Sequence, residues 1–153
     1  MSEAPDNISV RVVRLPHCGD LSLPAYQTQG SAGMDLLAAV SEPLTIPPGA
    51  WKLVPTGLSV AIPVGFEGQV RPRSGLALRH GLIVLNTPGT IDSDYRGEIR
   101  VILANLGREP FVVERGERMA QLVFSRIARV EWQEAASLPP SFRGEGGFGH
   151  TGN

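Results

Sequence analysis

The feature that most limits what this chain can become is its punctuation: 18 glycines and 13 prolines, about a fifth of the 153 residues, recur between short apolar runs. Those runs alternate with a period of two, which places every second side chain on one face of an extended strand. They lie at Ile8 to Leu15, Trp51 to Val54, Leu58 to Ile62, Phe66 to Arg71, Leu82 to Leu85, Glu98 to Asn105, Phe111 to Val113 and Gln121 to Ile127. In Glu98 to Leu103, for example, Ile99, Val101 and Leu103 share a face and Arg100 points the other way. Many short strands with regular turn signals predict a sandwich, barrel or jelly roll. No long amphipathic pattern competes with them. The one helix predicted is short, Gly75 to His80, with Ser74 as its N-cap. Beyond Trp132 the strand pattern dissolves, so residues 1–136 read as a single all-β domain and 137–153 as a flexible Gly-rich arm.

Charge and cysteine content narrow the function. Fourteen basic and fifteen acidic residues give a net charge of -1, so there is no broad field to draw in nucleic acid or an anionic membrane. A phosphate ligand would have to be met by a local site. The single cysteine, Cys18, allows no intrachain disulfide, which points to a reducing, cytoplasmic setting. The first seven residues lack the basic and apolar pattern of an export signal, and no apolar run approaches the ~20 residues of a membrane helix.

Five segments stand out inside this β pattern: Ala32 to Leu36, Pro72 to Ala77, Asn86 to Glu98 and the tail from Arg143 place glycine among polar residues, and Arg118 to Gln121 brings Arg and Gln together. In the second, Arg73, the Ser74 hydroxyl and the amides opening the short helix can hold phosphate oxygens, although Ser-Gly after a strand is equally a plain helix cap. In the third, Thr87-Pro88-Gly89-Thr90 suits a type II turn leading into a hairpin. The Asn86 amide and the hairpin backbone can read a base edge, and Tyr95 offers a flat ring to a sugar or base. The bland alternative is an ordinary hairpin with a packed tyrosine. Asp92, Asp94, Glu98 and Asp35 are candidate carboxylates; Asp94 reads as solvated and Glu98 as structural. His17, His80 and Cys18 read as incidental.

Taken together and in this order, the five segments resemble the five motifs of the trimeric all-β dUTPase (deoxyuridine 5'-triphosphate nucleotidohydrolase) family. The stretch Asn86 to Glu98, NTPGTIDSDYRGE, and Pro72-Arg73-Ser74-Gly75-Leu76 carry most of the likeness. The resemblance implies a jelly-roll subunit, a homotrimer with active sites at subunit interfaces, and Mg²⁺-assisted hydrolysis of dUTP to dUMP and pyrophosphate. That reaction keeps uracil out of DNA and supplies dUMP for thymidylate synthesis. It also implies roles. Asp92 matches the general base; Asn86 and the backbone of Gly89, Thr90 and Ile91 match the uracil reader; Tyr95 matches the ring against deoxyribose. Arg73, Ser74, Gly75 and Gln121 match phosphate contacts, and Asp35 matches the carboxylate linked to Mg²⁺ through water. Arg143, Phe148 and Gly149 match the closing arm, Phe148 stacking on the base. His150 departs from the pattern, standing where many members carry a small hydroxyl residue. A dCTP deaminase resembles the same fold, but Asp92 and Tyr95 follow the dUTPase pattern. A non-catalytic nucleotide sensor would not need the full catalytic set.

Overall fold

In the computed structural model, residues 7–147 are described. They form ten strands and one α-helix. One four-stranded sheet has the order β1 (Arg11–Arg14), β4 (Trp51–Ala61), β8 (Glu98–Asn105), β6 (Leu82–Val84). The other runs β2 (Met34–Leu37), β10 (Arg118–Arg126), β5 (Phe66–Arg71), β7 (Gly89–Ile91). A two-stranded ribbon of β3 (Leu44–Ile46) and β9 (Phe111–Val113) completes the sandwich. Every pairing in the three sheets is antiparallel, the all-β jelly-roll-like architecture that the strand pattern predicts.

The two-residue period decides the core. Ile99, Val101 and Leu103 are buried while Arg100 is exposed, as the alternation requires. They meet Val54, Val60 and Val84 from their own sheet and Leu36, Val70, Ile91 and Leu122 from the facing one. Ile46 and Val113 come from the ribbon, and Leu76 comes from the helix α1 (Ser74–His80).

Several boundaries differ from expectation. The runs Trp51 to Val54 and Leu58 to Ile62 are one strand, β4, whose pairing with β8 shifts register between Pro55 and Ser59. Gly57 makes this bend possible with φ +70°, and Thr56 secures it: its buried hydroxyl donates to the Ile99 carbonyl at 2.6 Å and accepts from the Leu58 N–H. Strands β2, β3 and β7 are too short and too glycine-rich at their edges for alternation to reveal them. Of Ile8 to Leu15, only Arg11–Arg14 is paired. Ser74 is not the N-cap of α1. Arg73 takes that place in an extended conformation, its carbonyl receiving the Leu76 and Ala77 N–H groups, and Ser74 is the first helical residue. The helix ends on Gly81 at φ 65°, the left-handed cap that glycine accepts most readily.

Before β2, the chain makes a single 3-10 turn, Pro16–Cys18, that sits against the β4 bend. A Cβ on Gly57 would lie 2.6–2.8 Å from Cys18 atoms, so only glycine permits the approach. Arg115 holds the turn from outside, donating to the carbonyls of His17 (3.1 Å) and Cys18 (2.9 Å). Its hydrogen bond to exposed Asp20 draws that carboxyl below the ordinary carboxylate range.

Candidate active site

The expected hairpin does not form: β6 pairs with β8 in one sheet, and residues 85–88 carry the chain across to the facing sheet, where Gly89 of β7 pairs with Val70 on β5. Because β7 is extended, Gly89 does not take the positive φ of a type II turn, and the Thr87–Pro88 peptide bond is cis. The expected turn type is therefore corrected. Closeness is what glycine provides here: an added Cβ would stand 3.2 Å from the Asn86 amide nitrogen and 3.4 Å from Val70.

Beyond Ile91 the chain turns again, with the Tyr95 N–H on the Asp92 carbonyl at 3.1 Å. Tyr95 then folds back over Gly97, where a Cβ would lie 2.3 Å from its phenol oxygen, and donates to the Glu98 carbonyl at 2.9 Å. The result is a cavity of about 260 Å³ lined by Asn86, Gly89, Thr90, Ile91, Asp92 and Tyr95, with Glu98 to Ile102 of β8 behind them. Its walls are apolar where Val70, Val84 and Ile99 contribute and polar at Asn86, Thr90 and Asp92. The Asp92 carboxylate is exposed and has no hydrogen bond or ion pair among the described residues. Such a group is free to accept a proton from a bound water.

The second cluster lies across the other sheet. Gln121 on β10 is registered against Asp35 on β2 and Arg71 on β5. Its amide donates to the Pro72 carbonyl at 2.9 Å, fixing the chain just before Arg73. Gly33 is again a matter of space, since a Cβ there would lie 2.4 Å from the Gln121 amide oxygen. Arg73 Nε pairs with Asp35 Oδ1 at 2.9 Å, and Arg118 Nη1 reaches Asp35 Oδ2 at 3.4 Å. Arg73 also donates to the Arg118 carbonyl at 2.9 Å. Ser74, exposed at the start of α1, makes no capping bond, and its hydroxyl is left for a ligand. Arg79 lies over Gly75, its guanidinium 3.2 Å from where a Cβ would be. One carboxylate, two guanidinium groups, a hydroxyl and an amide form a set suited to phosphate oxygens.

The structure thus gathers the expected residues into two groups. Asn86, Gly89, Thr90, Ile91, Asp92 and Tyr95 share the cavity, while Arg73, Ser74, Gly75, Gln121 and Asp35 share the cation cluster. Strands β7 and β2 are the two edges of one sheet, about 14 Å apart at ordinary strand spacing. Arg118 joins the second group although its sequence neighbourhood reads as a plain strand start; the three-residue offset from Gln121 is its only signal. Arg143 is exposed, its Nε donating to the Gly146 carbonyl at 2.6 Å. Phe148 and Gly149 lie outside the described residues, as does His150. Among the described residues no group of three or more His, Cys, Asp or Glu could hold a metal ion.

Fold and site together define a class: an all-β sandwich with a cavity lined by β7, β8 and residues 86–95, and a phosphate-compatible cation cluster of Arg73 and Arg118 about Asp35. The family model described as dUTPase matches residues 20–152. The chain is 54% identical over 147 residues to the deoxyuridine 5'-triphosphate nucleotidohydrolase of Maricaulis maris (strain MCS10), covering 95% of this chain and 97% of the relative. It is 57% identical over 131 residues to that of Rickettsia massiliae (strain Mtu5), covering 86% and 88%. A Staphylococcus bacteriophage 80alpha dUTPase solved with dUpNHpp shares the fold at TM-score 0.84 and 23% identity, over 96% of this chain and 100% of that one. So does a dUTPase from phage phi11 of S. aureus, described with a structural Mg(II) ion, at TM-score 0.77 and 20% identity over 87% and 100%. The chain belongs to the dUTPase family.

Proposed function

We propose that this protein hydrolyses dUTP to dUMP and pyrophosphate, with Asp92 as the base for water attacking the α-phosphorus. The observation that carries this reading is the cavity along residues 86–95, which sets a carboxylate without a partner among the described residues beside a glycine-tight backbone, an amide and an aromatic ring. Asn86 and the backbone of Gly89 to Ile91 supply both donors and acceptors for the uracil edge, and their close packing leaves no room for a 5-methyl group. Tyr95 packs on the deoxyribose and excludes a 2'-hydroxyl. Placement does more than basicity here.

Arg73, Ser74, Gly75 and Gln121 hold the phosphate chain, and Arg73 exchanges its bond with Asp35 for phosphate oxygens on binding. Because a Mg²⁺ ion is usually held by one or two carboxylates plus substrate phosphates and water, the lone carboxylate of Asp35 fits a water-mediated contact to such an ion better than a protein cage would. When bound, the ion neutralises phosphate charge.

A homotrimer with active sites at its interfaces is part of the same reading. Residues 1–136 form the catalytic domain, and 137–153, with Arg143, Phe148 and Gly149, form an arm that closes over the nucleotide. The buried free thiol of Cys18 is compatible with a cytoplasmic setting. Among the described residues no helix is long and apolar enough to cross a membrane. The test is incubation with dUTP and, separately, dCTP in the presence of Mg²⁺, with assays for pyrophosphate and ammonia. Pyrophosphate from dUTP alone is the expected result; ammonia from dCTP would overturn the reading.

A further inference from the structure

His17 reads as incidental in the sequence, yet it meets Glu98, the first residue of β8. Its Nε2 lies 2.6 Å from Glu98 Oε1. Since a carboxylate only accepts, Nε2 carries the proton in this contact, whether the ring is neutral or charged. The same carboxylate oxygen accepts the Gly57 N–H at 2.8 Å, and the Glu98 side chain is only 16% exposed. Glu98 is in turn the residue whose carbonyl receives the Tyr95 hydroxyl at 2.9 Å. Both ends of this chain of contacts are anchored. The turn carrying His17 is held by Arg115 and by the flush approach of Cys18 to Gly57, while Tyr95 is confined by Gly97 beneath its ring. A long side chain reaching across 81 residues of sequence thus sets where the first residue of β8 begins, and with it the position of the tyrosine three residues earlier.

We infer that His17 and Glu98 form a positioning couple that fixes the Tyr95 ring and so sets discrimination between deoxyribose and ribose. This rests on the reading of Tyr95 as the sugar-facing ring. Neither residue touches substrate in this scheme: His17 acts on Glu98, and Glu98 acts on Tyr95.

The experiment compares kcat/KM for dUTP and UTP, with Mg²⁺, in the full-length protein and in His17→Ala, His17→Gln, Glu98→Gln, Tyr95→Ala and the His17→Ala/Tyr95→Ala double variant. Removing the His17 contact lets the ring move, and the dUTP-over-UTP ratio falls roughly tenfold, the scale of a loosened steric contact in a specificity pocket. His17→Gln retains an N–H donor and recovers most of the ratio. Glu98→Gln keeps an acceptor but loses its charge and gives a smaller loss. The double variant discriminates no worse than Tyr95→Ala alone, because both changes act through one ring. A lower melting temperature in His17→Ala with an unchanged ratio would overturn the inference and leave a purely structural pair. An unchanged ratio in Tyr95→Ala would instead remove the sugar-reading role itself, and the couple with it.

Discussion

Asp92 is exposed and stands without a partner among the described residues, which leaves its carboxylate open to water and ligand. Replacing it with Asn keeps its shape and removes its basicity, so Asp92→Asn should bind dUTP and lower kcat by at least about a hundredfold. Single-turnover hydrolysis at the wild-type rate would disprove the assignment. Gly97 offers a second residue-level check. A methyl group there would collide with the Tyr95 ring, so Gly97→Ala should relax selection against UTP while leaving the all-β circular dichroism spectrum in place. Retained selectivity would mean that the ring has room to spare. The candidate residues around this cavity are legible in the sequence because Asn86 to Tyr95 lie in one short stretch, and its chemistry travels with its motif. His17 and Arg118 are not, since their partners Glu98 and Asp35 are 81 and 83 residues away and meet them only through tertiary packing.

Among the elements, β8 and β10 hold the two clusters and are the strands most firmly built. Asn105 ends β8 in full burial, its amide donating to the carbonyls of Ile46 and Glu109 at 2.9 and 2.8 Å while its oxygen accepts the Gly107 N–H. Asn105→Ala strands all three groups, which should cost roughly 3 kcal/mol. Thermal unfolding would then move down by roughly 6–12 °C. A shift of a degree or less would show that water replaces the amide. Strands β5 and β8, with their alternation, and the short apolar run of β9 have the boundaries that the pattern predicts. Strands of three or four residues beside glycine, such as β7, carry too few alternations to be distinguished from turns. The β4 bend looks like a gap between two strands because Pro55 and Gly57 are turn residues by type, whereas the Thr56 hydroxyl carries the strand through.

For the whole molecule, the consequence to test is a site divided between chains. Equal mixtures of Asp92→Asn and Arg73→Ala subunits, unfolded and reassembled together, should recover about a quarter of wild-type activity if cavity and cation cluster come from different copies in a closed oligomer. No recovery would put both clusters of one site on one chain. Truncation after Ser141 should leave melting and oligomer size nearly intact and reduce kcat severely, since residues 127–141 are exposed and Arg143 is lost with the arm. Full activity in the truncated protein would remove the lid role. A site whose cavity and cations come from different copies would reach into inheritance. Two alleles, one damaged at the cavity and the other at the cation cluster, would then rescue each other in a mixed assembly, whereas two damaged in the same group would not.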